Sequence, residues 1–237
     1  MTGDPRGRRA EIAANLASVR ARIAAACAAV SRDPAELTLI AVTKTYPAAD
    51  VLTLVELGVR DIGENRDQEA APKAAQVAAA CDERVTWHFI GQLQTNKAHS
   101  VARYAHVVHS VDRVRLVRAL GAAASGRELT CLVQVSLDAD PARGGVPAVH
   151  ISDIATAIEA EPGLRLGGMM AVAPLGADPA TAFAPLRELS ATVRSVNASA
   201  TIISAGMSGD LDAAIANGAT HLRIGTALLG NRKPPVL

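Results

Sequence analysis

The chain has 237 residues, of which 49% are apolar and 2% aromatic, and a formal net charge of +1. That length suits one large barrel-sized domain. That charge argues against an electrostatic nucleic-acid binder. No apolar run reaches the roughly 18 residues needed to cross a bilayer. The basic start, Arg6-Gly7-Arg8-Arg9, is followed by Glu11, Asn15, Arg20 and Arg22 rather than an apolar leader segment. Cys27, Cys81 and Cys131 are scattered and form no CxxC pair, so neither a zinc site nor a disulfide framework is indicated. A cytoplasmic protein with reduced thiols and no membrane or nucleic-acid partner is expected.

Ile12, Leu16, Val19, Ile23, Ala26 and Val30 recur at spacings of three and four, which predicts a helix over about 6–30. Asp33-Pro34 ends it. An apolar strand over 37–43 leads to Lys44, and a short helix over 50–58 stops at Gly58. A strand near 59–63 precedes Glu64-Asn65-Arg66, and a helix follows over 65–80 with Pro72 inside it. A third strand covers 85–91, and a helix reaches about Arg103. A fourth strand covers 107–110, with Asp112 as the expected cap of a helix reaching Ala124. The remaining strands are expected at 128–137, 164–170, 201–204 and 220–224. They alternate with helices over 147–160, 178–196 and 210–217.

One helix followed by eight strand–helix units, the last abbreviated, implies a parallel sheet. Eight units at this length favour a single TIM-type (β/α)8 barrel with an extra N-terminal helix. The helix covers about 6–30 and the barrel about 37–230, making residues 1–237 one domain. No GxGxxG follows the first strand, so an open dinucleotide-binding sheet lacks its fingerprint. The tail from Asn231 is expected to be loose.

In such a barrel functional residues gather at the C-terminal ends of the strands. Lys44, Asn65, His88, Gln134, Met170, Ser208 and Arg223 fall at or just after those ends. Lys44 is one of four lysines against twenty arginines. An amine at the mouth of a buried strand is expected to be partly desolvated, which favours its neutral, nucleophilic form. Gly206-Met207-Ser208-Gly209 and Gly225-Thr226 follow strands seven and eight, where phosphate sites of such barrels commonly lie. An amine for an aldehyde and a cradle for a phosphate together point to pyridoxal phosphate. Gly206-Met207-Ser208-Gly209-Asp210 lacks the last glycine of a nucleophile elbow and has no oxyanion motif upstream. His88, inside an apolar strand, reads first as a hydrogen-bonded core histidine. His106 and His109 are three apart, which places them on opposite faces of a strand and argues against a metal pair. Glu64 is weighed both as a base near the site and as a salt-bridge partner.

Taken together, Ile40-Ala41-Val42-Thr43-Lys44, Gly63-Glu64-Asn65, Trp87-His88-Phe89-Ile90-Gly91-Gln92-Leu93-Gln94-Thr95-Asn96-Lys97, Gly206-Met207-Ser208 and Arg223-Ile224-Gly225-Thr226 resemble the pyridoxal phosphate homeostasis protein family. The likeness covers roughly residues 10–230. It implies a barrel of the alanine-racemase type, with pyridoxal 5′-phosphate held as a Schiff base on Lys44. It implies that Ser208, Gly225 and Thr226 bind the phosphate and that Arg223 faces the pyridine nitrogen. A guanidinium cannot accept a hydrogen bond, so the ring would be a weak electron sink. Asn65, His88 and Met207 complete the expected cofactor-binding set.

The implied function is intracellular vitamin B6 homeostasis and amino- and keto-acid balance without established turnover. The alternative is a pyridoxal-dependent amino-acid racemase of low activity. Against it, the chain ends soon after the eighth strand, and a racemase needs a second domain carrying a catalytic tyrosine; Tyr46 and Tyr104 sit in no such domain. A Schiff-base aldolase is disfavoured, because such enzymes usually carry the lysine on a later strand. A monomer is expected, with transient contact to pyridoxal-dependent apoenzymes as a further partner. Three positions depart from the family pattern: Arg66 where Tyr is frequent, Arg143 where Lys is frequent, and Asp212 where Glu is frequent.

Overall fold

The computed structural model describes residues 5–124, 126–138, 140 and 144–230. Eight parallel strands close into a barrel in the order β1 to β8. They are β1 (Thr38–Val42), β2 (Asp61–Glu64), β3 (Thr86–Phe89), β4 (Val107–Val111), β5 (Leu129–Val135), β6 (Leu164–Ala171), β7 (Ile202–Ser204) and β8 (His221–Ile224). Closure is made by β1 against β8, in register from Thr38 opposite His221 to Ala41 opposite Ile224. The eight expected units are all present, within a few residues of the positions that periodicity marks.

The helices are α1 (Pro5–Ala28), α2 (Ala48–Glu56), α3 (Asp67–Ala80), α4 (Ala98–Tyr104), α5 (Val114–Ala123), α6 (Ile151–Ala160), α7 (Pro179–Phe183), α8 (Leu186–Val196), α9 (Leu211–Ala216) and α10 (Thr226–Leu229). α1 buries Ile12, Leu16, Val19, Ile23 and Ala26 of the apolar stripe, whereas Val30 is exposed because the helix ends at Ala28. α3 continues through Pro72, which forfeits one backbone hydrogen bond. The tail from Asn231 and Arg143 lie outside the described residues.

Three local expectations change. The helix expected over 178–196 is two, because Pro185 has no N–H and interrupts it. Asp112 does not cap α5. Arg113 occupies the cap position and makes no side-chain capping bond; its guanidinium binds the Asp112 carboxylate at 2.5 Å. The eighth unit carries its own short helix, α10, directly after β8.

Two apolar layers result. The larger lies between barrel and helices, and includes Ile62, Val108, Cys131, Leu166 and Leu222. A smaller cluster of Val107, Leu132 and Met170 fills part of the barrel interior, with Val172 and Ile202 against it. The interior also holds polar side chains, among them Asp61, His88, His109, Ser204 and Arg223. A hydrogen bond of 2.9 Å joins His109 on β4 to Ser204 on β7. Those strands are not neighbours, so the bond crosses the barrel.

α1 braces the seam between β8 and β1. Its Asn15 amide donates to Leu228 O at 3.0 Å and its Arg8 to Leu229 O at 3.1 Å, both at the end of α10. Arg22 donates to Ser208 O at 2.6 Å and pairs with Asp212. The departure at Asp212 therefore has a structural role: it ties α9 to the N-terminal helix.

Candidate cofactor site

A cavity of about 370 Å³ opens at the C-terminal ends of β1, β7 and β8. Lys44, Met207, Ser208, Arg223, Gly225 and Thr226 all line it, with Val42, Thr45, Tyr46, Ile90, Gly209 and Gly230. Among the described residues its wall carries two cationic side chains, Lys44 and Arg223, and no carboxylate, so it favours an anion. A larger cleft of about 590 Å³ lies between α3 and α4. That cleft has no lysine, and volume alone does not mark the chemistry.

Lys44 is exposed at this mouth, which corrects the expectation of a desolvated amine. β1 ends at Val42, and the chain turns at Thr45, releasing the lysine from the strand. Thr45 adopts φ +69°, a left-handed conformation rare for a β-branched residue. The turn is held by Thr45 N donating to Glu69 Oε2 at 3.0 Å and Tyr46 N to Thr43 O at 3.0 Å. Glu69 is in turn paired with Arg66 at 3.6 Å. The departing residue Arg66 thus supports the turn after Lys44 from the side. Thr45→Gly should relieve the strain and stabilise the fold by roughly 1 kcal/mol. A thermal or urea unfolding curve reads it, and a loss of stability would show that the turn is unstrained.

Behind the same strand end, Lys73 Nζ donates to Glu64 Oε1 at 2.5 Å and to Thr43 O at 2.8 Å. Thr43 Oγ1 donates to the same carboxylate oxygen at 2.6 Å. Burial pushes the Glu64 pKa up, against the opposing pull of Lys73 and Thr43. Glu64 does not line the cavity; its salt-bridge reading is the one realised. Its Oε2 has no partner among the described residues.

The cavity's other side is built by the loops after β7 and β8. Met207 N donates to Asp210 Oδ1 at 2.5 Å, which folds the first loop. Ser208 Oγ accepts from Ala227 N at 3.3 Å, which joins it to the second. Arg223 is 5% exposed. It donates to Ser204 Oγ at 2.6 Å and to Ala171 O at 2.9 Å, leaving further N–H groups on the guanidinium. Burial pushes its pKa down to about 10, with Asp210 opposing, so it remains a cation.

Asn65 and His88 are placed differently from the rest of the expected set. Neither lines the cavity. Asn65 Oδ1 is buried with no partner among the described residues. His88 lies within β3, where its ring binds Asp61 at 3.0 Å and His109 at 2.9 Å. Gln134 and Met170, also at strand ends, lie away from the cavity too; Met170 is packed in the barrel interior. Two contributors stand outside the expected cofactor-binding set. Tyr46 lines the cavity and donates to Gly230 O at 2.6 Å, and Ser204 anchors Arg223. Their only signal was nearness to Lys44 and to the glycine loop.

Residues 9–233 match the family described as alanine racemase, N-terminal domain. A pyridoxal phosphate homeostasis protein of Mycobacterium tuberculosis is 42% identical over 244 residues, covering 95% of each chain. This chain belongs to the pyridoxal phosphate homeostasis protein family. Within the same fold, PipY of Synechococcus elongatus, solved with PLP bound, matches with a TM-score of 0.80. It is 34% identical, over 92% of this chain and 100% of that one. An alanine racemase of Corynebacterium glutamicum is 15% identical with a TM-score of 0.71. It covers 97% of this chain and 62% of its own, and shows the barrel alone. No described helix of this family member is long and apolar enough to cross a membrane.

Proposed function

We propose that this chain binds pyridoxal 5′-phosphate in the 370 Å³ cavity, as a reversible Schiff base on Lys44, and buffers the cofactor without required turnover. The observation that carries the reading is a cavity wall that brings Lys44 and Arg223 together and has, among the described residues, no carboxylate. The donor set fits a phosphate-bearing aldehyde. Lys44 offers a primary amine that binds no other described side chain, and Ser208 and Thr226 offer hydroxyls. Met207, Gly209 and Gly225 bring backbone close to them. The homologues' common name and the PLP-bound relative support the same ligand.

When bound, the group supplies an aldehyde carbon for amines and a conjugated ring that can take up electrons. This chain's residues hold it and leave that ring little activated. Lys44 captures the aldehyde, and Ser208, Gly225 and Thr226 hold the phosphate. Arg223, a donor without lone pairs, orients the ring from the barrel side. Asn65 and His88 stand behind this wall rather than in it. We place the protein in the cytoplasm as a single-domain monomer, exchanging the cofactor with apoenzymes and so influencing amino- and keto-acid balance. Cys27, Cys81 and Cys131 as free thiols support that compartment.

The racemase reading needs an acid/base at the cavity. Tyr46 is there, but its hydroxyl proton is committed to Gly230 O. Tyr104 lies in the cleft between α3 and α4, and burial, then Asp67 and Glu64, push its pKa up. Titration of the protein with pyridoxal phosphate should produce a saturable visible band. Ser208→Ala should weaken binding by about tenfold, the loss of one hydrogen bond to a charged group. Alanine incubated with the loaded protein in deuterated water should show no α-proton exchange beyond that of free cofactor. Catalytic exchange would establish the racemase instead, and absence of the band would overturn the ligand.

A further inference from the structure

The polar side chains inside the barrel form one continuous path. Asp61 Oδ1 lies 3.0 Å from His88 Nε2, and His88 Nδ1 lies 2.9 Å from His109 Nε2. His109 Nδ1 lies 2.9 Å from Ser204 Oγ, which accepts from Arg223 at 2.6 Å. Asp61 lines a cleft of about 530 Å³ with Leu37, Thr38, Val59 and Arg60, where β1 and β2 begin. Arg223 lines the cavity where β1, β7 and β8 end. The path therefore joins the two ends of the barrel.

The chemistry of the end groups fixes its direction. A carboxylate only accepts and a guanidinium only donates. Asp61 therefore requires a proton on His88 Nε2. His109 is fully buried, and burial, then the neighbouring His88, Arg223 and His221, holds it neutral. Ser204 Oγ takes an N–H of Arg223, so its own proton needs a bare His109 Nδ1; the neutral His109 then carries its proton on Nε2 and gives it to a bare His88 Nδ1. Every donor finds one acceptor. Reversing one tautomer alone would set two bare or two protonated nitrogens against each other, and reversing both would set a bare His88 Nε2 against the Asp61 carboxylate.

We propose that Asp61 is a positioning residue for the cofactor cavity: through His88, His109 and Ser204 it fixes the hydrogen-bond polarity that anchors Arg223. The chain is a rigid relay, and its members touch no ligand except through Arg223. Were Ser204 to accept from His109 as well as Arg223, its own proton would lose its acceptor, and the anchor would loosen. The effect on pyridoxal phosphate rests on the ligand reading above; the relay itself does not.

Nitrogen-15 correlation spectra of the protein without added pyridoxal phosphate test the relay directly. Both His88 and His109 should appear with the proton on Nε2 and a bare Nδ1. A Nδ1–H tautomer or a doubly protonated ring at either position overturns the assignment. In Asp61→Ala the His109 nitrogen signals should move, although His109 does not touch residue 61. In Asp61→Glu they should return towards the wild-type positions. Unchanged His109 signals in a folded Asp61→Ala overturn the role of Asp61. Binding of pyridoxal phosphate should weaken by about tenfold in Ser204→Ala, the scale of one hydrogen bond to a charged group. Unaltered binding there overturns the anchoring of Arg223. Wild-type spectra as expected, with no binding of pyridoxal phosphate by wild type, would remove the ligand reading and leave the relay standing.

Discussion

Lys73→Met is expected to cost the fold about 3–5 kcal/mol, the penalty for breaking a buried ion pair from one side. The two side chains are 7% and 1% exposed. Removing the amine leaves the Glu64 carboxylate with Thr43 Oγ1 as its one hydrogen-bond donor and with Oε2 unpartnered among the described residues. The pH dependence follows in sign. Burial already raises the Glu64 pKa, and Lys73 opposes that shift, so the variant raises it further. A carboxyl with a raised folded pKa contributes stability in acid that is lost as pH rises through that pKa. The deficit of Lys73→Met should therefore be largest at neutral pH and shrink as the pH is lowered. Urea unfolding across pH reads both effects. Adding Glu64→Leu should recover much of the loss. A deficit under about 1 kcal/mol, the scale of an exposed pair, would mean that the carboxylate finds other partners.

Gly206→Ala should damage both fold and site. Gly206 adopts φ +93°. A Cβ there would lie 2.7 Å from Ala214 Cβ and 3.0 Å from Leu222 Cδ2. Left-handed strain and overpacking together amount to roughly 2–5 kcal/mol. The carbonyl of Gly206 also accepts from Arg223 N at 2.9 Å, and Met207 and Ser208 follow it into the cavity wall. The loop cannot move to relieve the contact without moving cavity groups. Pyridoxal phosphate binding should weaken by at least about tenfold, as expected when positioned donors are displaced. Unfolding curves and the titration together check this. Wild-type values in both would show that the loop is plastic and that its glycine is incidental.

The architecture was legible because its signals are local. Strand-length segments spaced by helical stripes mark the units and α1, most of them as apolar runs, whereas β2 and β8 are mixed. Lys44, Ser208, Arg223, Gly225 and Thr226 could be gathered because a parallel barrel collects its strand ends. What remained hidden is non-local or depends on side-chain direction. Nothing in the sequence says that His109 on β4 meets Ser204 on β7, because that contact crosses the interior. Strand-end position suggested a cavity role for His88 and Asn65, yet neither lines it: His88 points into the barrel interior, where Asp61 and His109 hold its ring. Lys44 was expected to be desolvated because it follows a buried strand, yet the strand ends before it. The break at Pro185 was readable from proline chemistry, but the surrounding helical pattern concealed it. α1 advertised its apolar stripe, whereas Arg8, Asn15 and Arg22, which brace α10 and the Ser208 loop, resemble ordinary surface residues.

The central claim is capture of pyridoxal phosphate by Lys44, and one measurement reaches it directly. Purified protein loaded with pyridoxal phosphate is reduced with borohydride, digested and mapped by mass. A single stoichiometric adduct on Lys44, lost in a folded Lys44→Ala, is the expected result. An adduct on Lys73 or Lys97 instead, or spread without preference, would contradict it, as would reduction that leaves Lys44 unmodified.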